Sequence, residues 1–285
     1  MRPRIPERDR GAAHRGAGVR TVTLLTLLAF VSACATGPLT IDEERELGDE
    51  FARQARGEFD FFRDRLVNAY IEKLGRQILE AAGPQPFDYK FYVLEERELN
   101  AFAAPAGHVY VHTGLILAAD NLSELAGVMA HEVGHVARRH IARNYNRQRS
   151  TGILYKLGAA VLAIFVGGYA ANAGALVGQV AAMAYLNTFS RDAEREADAF
   201  AVEVLPRAGI HPEGLVSFFE TLSAQQQGGR PPAFLSSHPA TAERIQNGRA
   251  AIAALDLDPG LSLEDDGKLE IIQRRIQLLT GDALP

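Results

Sequence analysis

Residues 131–135 read His-Glu-Val-Gly-His, inside a mostly apolar stretch from Leu122 to Ile141 that predicts a helix. Residues four apart on an α-helix are separated by only about 40° around its axis. Both imidazoles therefore leave one face, one turn apart, and can grip a single metal ion. Glu132 stands beside them, placed to take a proton from a water activated by that ion. Leu125, Val128, Met129, Ala130 and Val133 give the trio an apolar setting, where an unpartnered His-Glu-His cluster would carry a desolvation cost. The pattern points to metal-assisted hydrolysis, against the plainer reading of two solvated histidines with a charged neighbour.

A catalytic zinc keeps three protein ligands and one open position. The segment Ser190 to Asp198 offers the missing carboxylate on the next expected helix. Glu194 and Asp198 are four apart and share a face, whereas Glu196 points elsewhere. Glu194 on the metal, with Asp198 behind it receiving the far N–H of a ligand histidine, would complete the site. The competing reading is an ordinary charged helix face in which Arg191, Glu194, Arg195 and Asp198 pair with one another. Without the His-Glu-x-x-His helix, that reading would prevail.

His-Glu-x-x-His followed by Ser-Arg-x-x-Glu-x-Glu-Ala-Asp resembles the gluzincin metallopeptidases of the HtpX, OMA1 and CAAX prenyl protease type. The likeness extends to Asn100–Ile116, similar to the family's segment before the zinc helix, and to Ser237-His238-Pro239 with Arg244-Ile245. Among its branches the chain looks most like the periplasmic one containing BepA and the lipoprotein LoiP. The resemblance implies an α+β, mainly helical zincin-type domain with a small β-sheet flanking the metal helix. It implies one Zn²⁺ per chain held by His131, His135 and Glu194, with Glu132 as general base. It also implies a strand bordering the cleft; His108, Val109, Tyr110 and Val111 are the candidates for a sheet edge on which extended substrate could add as a strand. His238 could be a surface loop histidine. By resemblance it instead takes the open metal position in a resting form, or helps hold the oxyanion, with Arg244 as another candidate for that contact.

The N-terminus carries Arg2, Arg4, Arg8, Arg10, Arg15 and Arg20, then an uncharged, mostly apolar run from Thr21 to Ala33. A basic region followed by a short apolar one reads as a secretory signal over 1–33, too short for a span, which needs roughly 20 residues. Val31-Ser32-Ala33-Cys34 resembles a bacterial lipobox, and Cys34 is the only cysteine in the chain. Acylation there would tether the protein through a linker over 34–39 to a membrane, the outer one by resemblance, since Ala35 follows. The alternative is an unmodified thiol after an ordinary cleavage site.

Residues 40–285 then form one metallopeptidase domain. Helices are expected over Ile41–Phe61, capped by Thr40 or Asp42, over Leu66–Ala82, and over Leu269–Leu279. Strands are expected at Tyr89–Leu94, Ala101–Ala103 and Gly107–His112, the last with Val109 and Val111 on one face and His108, Tyr110 and His112 on the other. His140, five residues after His135, is expected to point off the ligand face. The Ala- and Gly-rich stretch 152–187 reads as a helical lid or flap, interrupted by Gly167-Gly168; a membrane span, contact with the membrane surface and disorder are the alternatives. After Arg244 no tetratricopeptide-like repeat is visible. Net charge is −5 and no basic stripe is present, so nucleic acid is not an expected partner. The expected partners are unfolded or misfolded envelope polypeptides as substrates in the bacterial periplasm, and the membrane through the lipid anchor. The rival class is a non-catalytic chaperone lipoprotein built on the same fold.

Overall fold

A computed structural model of the protein describes residues 38–150, 189–226 and 233–281. The expected signal segment, Cys34, most of its linker and the expected lid at 152–187 lie outside the described residues.

Two helices open the domain. Helix α1, Ile41–Glu58, begins in a capping box: the Thr40 side chain accepts from Glu43 N, and Glu43 accepts from Thr40 N at 2.8 Å. Helix α2, Arg65–Ala82, is capped by Asp64, which accepts from Leu66 N and Val67 N at 3.1 Å each. It stops at Gly83, whose φ of 77° suits glycine.

Three strands follow: β1 Lys90–Leu94, β2 Ala101–Ala104 and β3 His108–His112. Their order is β1-β3-β2, with β1 parallel and β2 antiparallel to β3. Between β2 and β3 a 3₁₀ turn, Pro105–Gly107, takes left-handed backbone at Ala106 and at Gly107, where φ is 90°. The expectation that His108, Val109, Tyr110 and Val111 line a sheet edge is corrected by this order. Each pairs on both sides; Tyr110, for example, lies between Tyr92 of β1 and Phe102 of β2. The strand at the sheet border next to the metal helix is β2. The physical reason is that β1 runs back in parallel beside β3, a pairing that strand patterning does not reveal.

The alternation along β3 is as patterned. Val109 and Val111 join Phe91, Val93 and Ala103 in the main core. On the other face Tyr110 stacks between Tyr92 at 4.8 Å and Phe102 at 4.9 Å, under Phe51 and Phe59. His108 and His112 are buried there too.

The short helix α3, Thr113–Ala118, leads to α4, Leu122–Ala137, the centre of the molecule. Asn121 caps α4 by accepting from Glu124 N. Every residue from Leu122 to Val136 is buried, as expected of a helix with little polar surface. Around α4 pack α2, β2, α6 (Arg191–Arg207) and α7 (Glu213–Gln226). Gly134 lets α6 approach: a Cβ there would lie 3.1 Å from Phe200 Cδ1 and 3.2 Å from Ala197 Cα. The expected helix through Ile141 is shorter, because Arg139 turns to φ 53° and a new helix, α5 His140–Ser150, begins. Helices α8 Ala233–Ser237, α9 Ala242–Ala253 and α10 Lys268–Thr280 complete the fold. Among the described residues no helix is long and apolar enough to cross a membrane.

Candidate metal centre

Helix α4 presents His131 and His135 from consecutive turns, with Nε2 atoms 3.0 Å apart. Helix α6, started by Ser190, whose side chain accepts from Ala193 N, brings Glu194 to them. Its carboxylate oxygens lie 3.5 Å from His131 Nε2 and 3.6 Å from His135 Nε2. The loop after α8 adds His238, whose Nδ1 is 3.1 Å from Glu194 Oε1 and 3.3 Å from His131 Nε2. All four side chains are buried, and their ligand atoms lie within 4.8 Å of one another.

This donor set fits a metal ion. A tetrahedral ion with bonds of about 2.0–2.1 Å holds its ligand atoms roughly 3.3 Å apart, and the separations above bracket that value. Nearby, both Glu132 oxygens and His238 Nε2 are buried without a hydrogen-bond partner among the described residues. Such groups are costly unless something pairs with them. Glu132 Oε1 lies 3.4 Å from His238 Nε2. Burial pushes the Glu132 carboxyl above its ordinary range, against the pull of His238, His131 and the Ala103 backbone. Burial also acts to raise Glu194, but His238 and His131 outweigh it and hold this carboxyl far below the usual carboxylate range.

Behind the ligand atoms stand further polar groups. His131 Nδ1 lies 2.9 Å from Asp198 Oδ1. Arg244 clamps Asp198 through Nε at 2.7 Å and Nη2 at 2.6 Å, and its Nη1 reaches Glu194 at 2.8 Å and the Pro239 carbonyl at 3.0 Å. The guanidinium is thus committed to carboxylates behind the ligands. Four of its five N–H donors are engaged by these contacts, and an oxyanion contact by Arg244 stays a proposal. His140 is the residue that pattern reading missed. Its Nδ1 lies 2.8 Å from His135 Nδ1, and its Nε2 lies 3.2 Å from Glu196 Oε2. The only signal available in the sequence was the Arg138-Arg139 pair interrupting the apolar helix. His108 and His112 stand apart on the sheet, His108 near the Tyr92 hydroxyl at 3.2 Å.

The model of Peptidase family M48 matches residues 65–252. The chain belongs to that family. It is 36% identical over 228 residues to the beta-barrel assembly-enhancing protease of Escherichia coli (strain K12), covering 78% of this chain and 46% of that protein. It is 35% identical over 187 residues to the metalloprotease YcaL of the same organism, covering 65% of this chain and 69% of that protein. With the metalloprotease LoiP, also from that strain, the identity is 34% over 179 residues, covering 60% of this chain and 64% of LoiP. The chain spans about half the length of the assembly-enhancing proteases it matches. Family membership and the buried cluster together imply a metal cofactor. The fold, mostly helical around one small sheet, is that of an M48 zincin-type peptidase domain.

Proposed function

We propose that the chain is a zinc-dependent endopeptidase acting on unfolded or misfolded cell-envelope polypeptides, with His131, His135 and Glu194 as ligands and Glu132 as general base. The observation that carries the reading is the convergence of two imidazole Nε2 atoms and one carboxylate beside a fully buried Glu132. Zinc favours this donor set of two histidines and a glutamate and, when bound, supplies a Lewis acid that lowers the pKa of water toward about 7. Glu132 then accepts a proton from the attacking water and passes it to the departing amine nitrogen, a task suited to a carboxyl whose affinity for protons is raised by burial. Asp198 holds His131 from behind, fixed in turn by Arg244. His238, whose Nδ1 lies beside Glu194 and His131, would supply a further donor to a bound ion or help hold the oxyanion.

The envelope location is supported by the signal pattern and by the similarity to the beta-barrel assembly-enhancing proteases. Cys34 as lipid anchor and the outer membrane as its destination belong to the same proposal. Glu132→Gln is expected to keep stoichiometric zinc while cleavage of an unfolded reporter such as casein falls at least ~10²-fold. Glu194→Ala is expected to lose the metal, read by elemental analysis. Normal turnover by Glu132→Gln would rule out the assigned base, and full zinc in Glu194→Ala would rule out the third ligand.

A further inference from the structure

The two histidine ligands are backed differently. His131 Nδ1 faces a carboxylate directly, that of Asp198. His135 Nδ1 faces another imidazole, His140 Nδ1 at 2.8 Å, with both rings buried. Beyond it the line continues: His140 Nε2 lies 3.2 Å from Glu196 Oε2, which also accepts from Arg143 Nη2 at 2.6 Å.

We infer that His140 is a positioning residue for His135, accepting its Nδ1–H and, through Glu196 and Arg143, fixing the ring with its Nε2 lone pair on the metal position. The inference rests on the metal-centre reading above. Proton placement follows from that reading. For His135 Nε2 to offer a lone pair, its ring proton must sit on Nδ1. His140 Nδ1 then has to accept, which leaves its own proton on Nε2, facing a carboxylate acceptor. No atom in this line is left with the wrong polarity.

The backbone explains how His140 gets there. On an uninterrupted helix, residues five apart stand about 140° apart, so His140 could not meet His135. Ending α4 at Ala137 and turning Arg139 through φ 53° starts α5 anew and swings His140 back. Helix α6 supplies both backing carboxylates, Asp198 for one ligand and Glu196 for the other. On its other flank, His135 is pressed by Phe189, stacked at 3.9 Å and 19°. The ring is therefore held by one apolar face and one polar line.

The test titrates zinc sulfate into the metal-free full chain against a chromophoric chelator, with wild type, His140→Phe, His140→Asn and Glu196→Leu in parallel. The visible spectrum of the cobalt(II)-loaded forms reports ligand geometry separately from fold. His140→Phe is expected to weaken zinc about 10- to 100-fold and alter the cobalt bands. His140→Asn, whose Oδ1 can stand where Nδ1 stood, is expected to recover most of both, and Glu196→Leu to weaken binding less than His140→Phe. Affinity within about twofold of wild type in His140→Phe, or equal losses in Phe and Asn variants, would overturn the inference. Should His140→Phe fail to fold, Glu196→Leu, altered at a half-exposed side chain, decides: unchanged affinity and spectrum overturn it. A wild-type chain that takes up no zinc overturns the metal-centre reading itself, and this inference with it.

Discussion

Arg244 shows how two carboxylates can be kept buried beside a cluster of imidazoles. It lies over the Phe219 ring at 4.4 Å and bonds both Asp198 oxygens, while Nη1 meets Glu194. Removing one partner of a buried ion pair leaves charge uncompensated, a loss of about 3–5 kcal/mol. Arg244→Met, which keeps much of the volume, is expected to cost that much in urea denaturation with chelator present. Bound metal supplies positive charge to Glu194, so the cost is expected to shrink when zinc is added. A loss below about 1 kcal/mol in chelator would contradict the role assigned to Arg244. At this scale the residues of the buried cluster were legible because their spacings are local: the histidines stand four positions apart, and so do Glu194 and Asp198. His140 was not, because its position depends on a single left-handed residue, Arg139, and an arginine pair marks a break in the apolar run without giving the direction of the turn.

Among the elements, α2 illustrates a junction that serves helix start and tertiary packing together. Asp64 caps α2 and also accepts from Arg275 of α10 through Nε at 2.8 Å and Nη2 at 2.6 Å. Arg275 chiefly, aided by the backbone N–H groups, holds the Asp64 carboxyl down at about 2, against an ordinary 3.8. A depressed carboxyl stabilises the fold above its unfolded pKa and loses that contribution as pH falls through the folded one. Asp64→Ala is therefore expected to cost about 1–2 kcal/mol at pH 7. Its difference from wild type, followed by thermal melts, is expected to dwindle between pH 4 and pH 2. A difference independent of pH would separate the cap from the ion pair. Elements of this kind were readable from capping residues and periodicity: the expected bounds of α2 and α10 lie within a residue of those found. The metal helix was read too long, since apolar residues such as Ile141 continue past its true end in a second helix.

For the whole molecule, the sheet buries titratable groups on the face turned away from the metal. Burial lowers both His108 and His112 to about 4, with Lys90 adding to the effect on His108. The folded form thus keeps them neutral where the unfolded chain, near 6.5, takes up protons. Stability is expected to fall as pH drops from 6.5 toward 4, because the unfolded state binds more protons across that window. Urea midpoints measured in chelator should show this decline, and His108→Gln with His112→Asn should flatten it. An unchanged slope in the double variant would assign acid sensitivity to the carboxylates instead.

By itself the amino-acid order determined most of the helix and strand stretches, which side chains share a face, and that two imidazoles leave one helix face a turn apart. Those properties follow from backbone repeat lengths, which act over a few residues. Only tertiary structure decided that β3 lies between two partners, that His140 returns to His135, and that Arg244 is committed behind the ligands. The first turns on the parallel pairing of β1 with β3, the second on the left-handed backbone at Arg139, and the third on contact between residues 46 positions apart. No local period carries information across such a distance.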